Sequence, residues 1–299
     1  MPRDFTRRVP GKREGPESAC PKGPAPPVHM TLLRVEGLSK EFGGVRAVDA
    51  LHFEIDAARV FSIIGPNGAG KTTLLNLLTG IYRPTDGRIV FQGADPTGCA
   101  PHEFATSGIG RTFQNLQIFF NMSALENVMA GRYLRERCGL ASALLRLPAL
   151  VRAERDCREE AKELLAFVGL HDWINAQADA MPYGALKRLE IARALAAQPK
   201  LLLLDEPAAG LNPTETRDID RLIQRLAETG VTVVLVEHNM RLVMQVSEYI
   251  LVLDYGRKLA EGDPASVRND PRVIEAYLGS SSPAAGTPHT GRPATRGEH

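Results

Sequence analysis

The sequence predicts an α/β protein with a parallel sheet that is covered by helices on both faces. Three observations lead to this fold class. Strand-like runs alternate with helical segments along most of the 299 residues, as expected when helices connect parallel strands. A glycine-rich loop at 65–72 separates a short apolar run from an amphipathic segment. The run Leu201–Leu204 is fully apolar, which is typical of a strand buried on both faces.

The strands and helices can be predicted in order along the chain. Strands are expected at Thr31–Glu36, Val45–Ile55, Val60–Ile64, Arg88–Gln92, Lys200–Leu204, Val231–Val236 and Tyr249–Leu253. The region from about 115 to 184 has few strand candidates, and it is predicted to be a helical insert. Its apolar residues recur at helical spacing, at Cys157, Ala161, Leu164 or Leu165, and Val168. Gly169 suits the C-terminal cap of that helix.

The two ends of the chain differ in composition from the part between them. Residues 1–29 and 280–299 are rich in small, proline and charged residues, so both are predicted to be disordered. The folded domain is expected over 30–279. A net charge of +1 argues against a nucleic-acid partner. No apolar run approaches the roughly 20 residues that span a bilayer.

The glycine-rich loop indicates phosphate binding. Its eight residues, Gly65-Pro66-Asn67-Gly68-Ala69-Gly70-Lys71-Thr72, fit the pattern GxxxxGK[ST]. Such a loop points backbone N–H groups at anionic oxygens, and the following helix adds the partial positive charge of its N-terminus. We expect Lys71 to contact the β- and γ-phosphates and the Thr72 hydroxyl to ligate Mg²⁺. A chance match arises about once in a hundred sequences, and the strand and helix around the loop reduce that further.

Two acids follow the apolar strand, and a histidine follows the next one. Ligands bind at the carboxyl ends of strands in open α/β sheets, so Asp205 is predicted to hold Mg²⁺ and Glu206 to polarise an attacking water. His238, in "LVEHN", is predicted to contact the γ-phosphate. The alternatives are that "DEP" is only a turn that ends the strand and that His238 is structural.

These motifs resemble those of the ATP-binding cassette (ABC) ATPases, the motor subunits of ABC transporters, over about residues 31–279. "GPNGAGKTT", which ends on Thr73, is similar to the nucleotide loop of that family, and "LLLLDEP" to its acidic strand. Gln114 in "RTFQ" looks like the glutamine loop that senses Mg²⁺ and couples to the membrane subunit. His238 matches the switch histidine. Phe42 falls where the family stacks an aromatic ring on adenine, although alone it would be interpreted as a core residue.

The resemblance implies a P-loop NTPase fold with a RecA-like core, an N-terminal antiparallel β portion and a helical subdomain at about 115–184. It also implies that ATP and Mg²⁺ are the cofactors. The implied catalytic residues are Glu206, His238, Lys71 and Gln114. The implied metal ligands are Thr72, Gln114 and Asp205.

The signature motif of the family is altered in this chain. Met181-Pro182-Tyr183-Gly184-Ala185 stands where the family has Leu-Ser-Gly-Gly-Gln, before a helix predicted over Leu186–Ala197. In the family this turn caps the γ-phosphate bound to the other subunit, and the resemblance assigns nucleotide contacts to Pro182, Tyr183 and Gly184. The helix dipole and the Gly184 N–H keep that ability. Pro182 lacks both a hydroxyl and an N–H, and each lost hydrogen bond to a charged group is worth ~1.5–3 kcal/mol.

The altered motif is similar to one subfamily, the branched-chain amino acid importers. "KRLEIARAL", "EPAAGLNPTET" and the terminal "VIEAYLG" resemble the same group, and within it the larger, glycine-type ATPase subunit. This implies that the chain forms a heterodimer with a second ATPase subunit, and that the heterodimer binds two membrane permease subunits. An extracytoplasmic solute-binding protein would act indirectly, and the chain would lie peripherally on the cytoplasmic face of the inner membrane.

The alternatives are an exporter subunit, an importer of another solute, a non-transport cassette and a GTPase. A lipopolysaccharide-type exporter subunit would keep Ser-Gly-Gly in the signature, and a urea or amide importer would look much the same as an amino acid importer. DNA-repair cassettes need long coiled-coil insertions, which are not seen here, and translation cassettes usually occur in pairs. A GTPase would need an Asn-Lys-x-Asp motif, which the sequence lacks.

Overall fold

A computed structural model of the chain describes residues 31–132 and 148–279. The predictions of disorder at 1–29 and 280–299 lie outside the described residues. The strands are β1 (Thr31–Phe42), β2 (Val45–Asp56), β3 (Val60–Ile64), β4 (Asp86–Phe91), β5 (Ile109–Arg111), β6 (Leu201–Asp205), β7 (Thr232–Val236), β8 (Tyr249–Asp254) and β9 (Arg257–Gly262). Val60–Ile64 begins and ends where it was predicted, and the other predicted strands shift or extend at their ends.

The helices lie between these strands. They are α1 (Lys71–Leu78), α2 (Pro101–Ser107), α3 (Ala124–Gly131), α4 (Pro148–Phe167), α5 (Tyr183–Ala196), α6 (Pro213–Glu228), α7 (Met240–Val246), α8 (Pro264–Arg268) and α9 (Pro271–Gly279). Short 3₁₀ turns occur at His171–Trp173 and Ala178–Ala180. No helix in the described ranges is both long and apolar enough to cross a membrane.

The central sheet has the strand order β5-β6-β7-β3-β8-β9. Its first five strands pair in parallel, as predicted, and β9 pairs antiparallel with β8. Strands β3, β6 and β7 are buried along their whole length. Strand β9 was not predicted, because this edge strand is largely polar and exposed and shows no apolar run. A tight turn at Tyr255 and Gly256, both with positive φ, reverses the chain before it.

A smaller antiparallel sheet, in the order β2-β1-β4, forms the N-terminal β portion that the resemblance implied. Strand β1 is twice as long as predicted. The prediction ended it at Glu36, but the strand continues through an irregularity in register, and Gly37 takes a positive φ there. The turn between β1 and β2 consists of Gly43 and Gly44, both also at positive φ.

The helical region packs on the central sheet through one continuous apolar cluster. Leu125 of α3, Leu165 of α4 and Leu189 of α5 belong to the same buried cluster as Leu202 and Leu235 of the sheet. The predicted apolar stripe of α4 is buried at Cys157, Ala161, Leu165 and Val168. The predicted cap, Gly169, has a φ of 74°. The boundaries of a separate subdomain at about 115–184 stay a prediction.

The close packing of α3 on α5 can be tested at Gly131. A Cβ atom added there would overlap the backbone carbonyl of Arg193, which cannot move aside as a flexible side chain would. We expect Gly131→Ala to lower the free energy of unfolding by about 1–3 kcal/mol, the usual cost of overpacking. Chemical denaturation measures this. The control is Ala130→Ser at an exposed position of the same helix, and equal stability of both variants would contradict the packing.

Candidate nucleotide-binding site

The glycine-rich loop connects β3 to α1 and lies against two other strands. Gly65, Gly68 and Gly70 have φ values of 152°, 82° and 97°, which favour glycine. A Cβ at Gly65 would overlap the carbonyl oxygen of Leu253, and one at Gly70 would overlap that of Ala47. A Cβ at Gly68 would meet nothing within 4 Å. The loop is therefore tightly packed on its inner side and open at Gly68, as a phosphate cradle requires.

Lys71 begins α1, and its side chain folds back under the loop. Its Nζ donates to the carbonyl oxygens of Gly65 at 2.7 Å and Pro66 at 2.9 Å. Burial lowers the pKa of the Lys71 ammonium, and the charges of Glu206 and Asp205 raise it. The structure thus places the lysine charge inside the loop and near both acids, and its contact with the phosphates stays a prediction.

Asp205 is the last residue of β6 and is buried in an ion pair that the sequence did not reveal. Arg111 donates to Oδ2 of Asp205 at 2.9 Å and to Oδ1 of Asn76 at 2.6 Å. Burial raises the pKa of the Asp205 carboxyl, and the Arg111 guanidinium opposes that change. Arg111 ends the three-residue strand β5, which is too short to produce a pattern. The arginine therefore gave no sequence signal.

Glu206 connects three segments that are distant in the sequence. Its Oε1 lies 2.7 Å from Nε2 of His238, and its Oε2 accepts a hydrogen bond from Nε2 of Gln114 at 3.3 Å. The backbone of Glu206 is left-handed, with a φ of 51°, which costs a non-glycine residue about 1–3 kcal/mol. The fold thus brings together the residues that the sequence predicted to be catalytic, and it does so at the end of β6.

A second buried acid, Glu237, supports this edge and was missed by sequence analysis. Its carboxylate accepts hydrogen bonds from the backbone N–H groups of Ala208 at 2.8 Å and His238 at 3.2 Å. Burial raises the pKa of the Glu237 carboxyl, and the backbone donors lower it. Glu237 holds the segment after Glu206 against the segment that carries His238. Its position between Val236 and His238 was a possible signal.

Phe42 lies at the end of β1 and is not a core residue. Its side chain is 42% exposed, and its ring packs edge-to-face on Tyr82 at a centroid distance of 5.2 Å. The Nζ of Lys40 lies 4.9 Å from the ring centroid. One face of an exposed and supported ring suits a stacking partner. Its contact with adenine stays a prediction.

The altered signature forms the start of α5. The helix begins at Tyr183, three residues before the predicted start, because Pro182 adopts an extended conformation at the N-cap. Tyr183 is 45% exposed. Gly184 is buried, and a Cβ there would overlap the carboxylate of Glu215. Tyr183 is therefore a surface side chain at the helix tip and Gly184 a packing residue. The predicted nucleotide contacts of Pro182, Tyr183 and Gly184 stay predictions.

The predicted metal ligands offer oxygen atoms. Thr72 is exposed at the start of α1. Gln114 contacts Glu206, and Asp205 contacts Arg111. Hydroxyl, amide and carboxylate oxygens are suitable ligands for Mg²⁺. No group of three or more His, Cys, Asp or Glu residues in the described part of the chain could hold a metal. These residues fit an ion that takes its remaining ligands from phosphate and water.

The terminal helix α9 also reaches the phosphate loop. The backbone N–H of Gly65 donates to the hydroxyl of Tyr277, and burial raises the pKa of Tyr277 to about 12. Tyr277 packs on the apolar cluster that contains Ile64, the residue before the loop. The "VIEAYLG" segment was noted in the sequence only as a resemblance. Its contact with the loop could not be predicted, since Tyr277 is more than 200 residues away.

Comparison with known proteins agrees with this geometry. Residues 48–209 match the family model described as ABC transporter, and residues 257–282 match that of the branched-chain amino acid ATP-binding cassette transporter. The chain is 44% identical to the high-affinity branched-chain amino acid transport ATP-binding protein BraF of Pseudomonas aeruginosa, over 84% of this chain and 98% of that protein. It is 43% identical, with the same coverage, to LivG of Escherichia coli K12.

Solved structures show the same fold. A nucleotide-free ATP-binding cassette from an ABC transporter superposes with a TM-score of 0.73 and 33% identity, over 83% of this chain and 99% of that one. A dimeric cassette bound to ADP and phosphate superposes with a TM-score of 0.66 and 26% identity, over 78% and 98%. The chain therefore belongs to the ABC transporter ATP-binding proteins, which are ATPases, and within them to the branched-chain amino acid transport ATP-binding proteins.

Proposed function

We propose that this chain is the ATP-hydrolysing subunit of an importer for branched-chain or related amino acids. The observation that carries the proposal is the cluster of Glu206, His238 and Gln114 beside the phosphate loop. The names of BraF and LivG support the class of substrate. Solute specificity would lie in the permease and in an extracytoplasmic binding protein, since the site on this chain recognises a nucleotide.

The phosphate loop and Phe42 would hold the nucleotide. Backbone N–H groups within 67–72 and the Lys71 ammonium would neutralise the phosphate oxygens. To reach them, Lys71 would exchange its contacts with the Gly65 and Pro66 carbonyl oxygens for the β- and γ-phosphates. Phe42 would stack on the adenine. Thr73 follows Thr72 in the first turn of α1 and would also lie close to the phosphates.

Glu206 would polarise the water that attacks the γ-phosphorus. Its carboxylate is held from both sides by His238 and Gln114, so its orientation is fixed before the substrate binds. Thr72, Asp205 and Gln114 would hold Mg²⁺, which would neutralise charge on the β- and γ-phosphates when bound. Arg111 would keep Asp205 ionised and oriented toward that position.

The active unit would be a dimer of cassettes. Tyr183 and the N-terminus of α5 are at the surface, where they are available to a nucleotide held by a neighbouring chain. A related cassette is a dimer in its ADP- and phosphate-bound form. We propose that the neighbour is a different ATPase subunit with a more typical signature, so that the two composite sites differ.

Transport would follow from movement of the helical region against a membrane partner. Phe119 and Phe120 are 47% and 48% exposed just beyond Gln114, and an apolar surface of this kind suits a protein partner. We propose that two permease subunits dock here, so the chain would lie on the cytoplasmic face of the inner membrane. ATP-driven movement of Gln114 would shift the population of permease states.

The role of Glu206 can be tested with Glu206→Gln. The amide keeps the shape of the side chain but is a far weaker base. We therefore expect the Kd for ATP to stay within about twofold of the parent value and turnover to fall by about 10²–10⁴-fold. Binding of a fluorescent ATP analogue and phosphate release by the complete transporter measure the two effects. Glu163→Gln, at an exposed position of α4, is the matched control. Full turnover in Glu206→Gln would remove Glu206 from the mechanism.

The inequality of the two composite sites can be tested in the heterodimer. We expect the site formed by this chain's loop and the partner's signature to hydrolyse faster, because Pro182 and Ala185 cannot donate the usual hydrogen bonds. Loss of one hydrogen bond to a charged group changes an equilibrium constant by about ten- to a hundredfold. The measurement is ATPase activity after substituting the catalytic Glu of each subunit in turn. An equal loss from both substitutions would refute the asymmetry.

A further inference from the structure

Three charged side chains of α5 lie directly beneath the loop that carries Gln114. Lys187, Glu190 and Arg193 are three residues apart and share one face of the helix. We call them the coupling strip. Lys187 and Glu190 are each only 2% exposed. Charged residues are almost never buried to this extent unless they have specific partners, so the contacts of the strip need an explanation.

Each residue of the strip contacts a different part of the glutamine loop. The Nζ of Lys187 donates to the backbone carbonyl of Gln114 at 3.3 Å. The Oε1 of Glu190 accepts from the backbone N–H groups of Phe113 and Gln117, both at 3.3 Å. The guanidinium of Arg193 lies 5.3 Å from the ring centroid of Phe119. Together the three residues hold the loop from 113 to 119.

The strip also begins at the altered signature. The Nζ of Lys187 lies 5.8 Å from the ring centroid of Tyr183, one helical turn earlier. Tyr183 is the exposed residue at the tip of α5. Lys187 therefore contacts both the signature and the backbone of Gln114, while the side chain of Gln114 contacts Glu206. A continuous path of contacts runs from the helix tip to the catalytic acid.

Glu190 is the one acid of the strip and lies between its two cations. Burial raises the pKa of Glu190, whereas the two backbone donors and the cations Lys187 and Arg193 lower it. Burial lowers the pKa of Arg193, and Glu190 raises it. A buried carboxylate that accepts two N–H groups and lies between two cations favours one arrangement. Loss of Glu190 would remove the acceptor of the Phe113 and Gln117 N–H groups and the negative charge between the two cations.

We infer that the coupling strip makes the glutamine loop move with α5, so that Lys187, Glu190 and Arg193 are positioning residues that transmit engagement of the signature to Gln114. The inference rests on the proposed function for the roles of Gln114 and of the helix tip. It adds that the loop follows the signature helix rather than the catalytic sheet. On its N-terminal side the loop stays joined to the sheet at Thr112, whose N–H donates to the carbonyl of Leu203 at 2.9 Å, so the movement would begin after Thr112. Beyond that point the side chain of Gln114 contacts Glu206.

Hydrogen exchange in the nucleotide-free chain tests whether the strip holds the loop. We expect Glu190→Ala to speed amide exchange at Phe113 and Gln117 by about tenfold or more, because both lose a charged acceptor. Glu190→Gln keeps a carbonyl oxygen and should stay within about threefold of the parent. Glu163→Ala on α4 is the control. Unchanged exchange in Glu190→Ala would overturn the inference.

Nucleotide-dependent exchange in the assembled transporter tests the transmission. In the Glu206→Gln background, MgATP should slow exchange both at 113–119 and at the start of α5. With Glu190→Ala or Lys187→Met added, only the start of α5 should respond. A loop that still responds as in the parent would overturn the inference. Lys187→Met has a similar shape and leaves Glu190 in place, so it supplies the test if Glu190→Ala does not fold.

Kinetics separate positioning from a general loss of structure. In the transporter with native Glu206, Glu190→Ala and Lys187→Met should lower kcat at least about tenfold and leave KM for ATP within about twofold, because the phosphate loop is untouched. A fall in kcat together with a comparable rise in KM would contradict the inference. A parent transporter that neither binds nor hydrolyses ATP would refute the proposed function, while exchange at Phe113 and Gln117 would still decide whether the strip holds the loop.

Discussion

The register of three parallel strands is the constraint on which the site depends. Ile63 of β3 lies opposite Val236 of β7, and Val236 lies opposite Asp205 of β6. The three strands therefore end at one level, and the residues that follow them meet at one edge. The backbone N–H of Glu206 bonds to the carbonyl of Val236 at 2.8 Å, which fixes the acid beside the segment that carries His238. A slip of one residue would separate these groups.

Buried charges then connect this edge to the helical region. Asp205 pairs with Arg111, Glu237 binds backbone N–H groups, and Glu190 lies between two cations. Removal of one partner from such a pair costs about 3–5 kcal/mol, since it leaves a charge uncompensated. The apolar cluster fixes where the helices lie, and the polar contacts fix where Gln114 lies. The two kinds of interaction therefore have separate tasks.

The altered signature and the charged residues behind it lie on the same helix, α5. Pro182 presets the backbone at the N-cap, and no side chain caps the helix. The tip of α5 thus offers an aromatic ring and backbone N–H groups instead of a hydroxyl and an amide. Behind the tip, Lys187 and Glu190 are charged side chains at buried positions. The helix combines an altered tip with a polar connection to the glutamine loop.

Features that depend on local pattern could be predicted from the amino-acid sequence alone: the strand Val60–Ile64, the glycine loop, the acids after the apolar strand and the buried stripe of α4. Apolar periodicity and glycine positions carry that information within a few residues. The polar contacts could not be predicted in this way and emerge from the three-dimensional fold, because single charged residues form no pattern and their partners are far away in the sequence. These are the contacts of Arg111 with Asp205, Glu237 with Ala208, Glu190 with Phe113 and Gln117, and Tyr277 with Gly65.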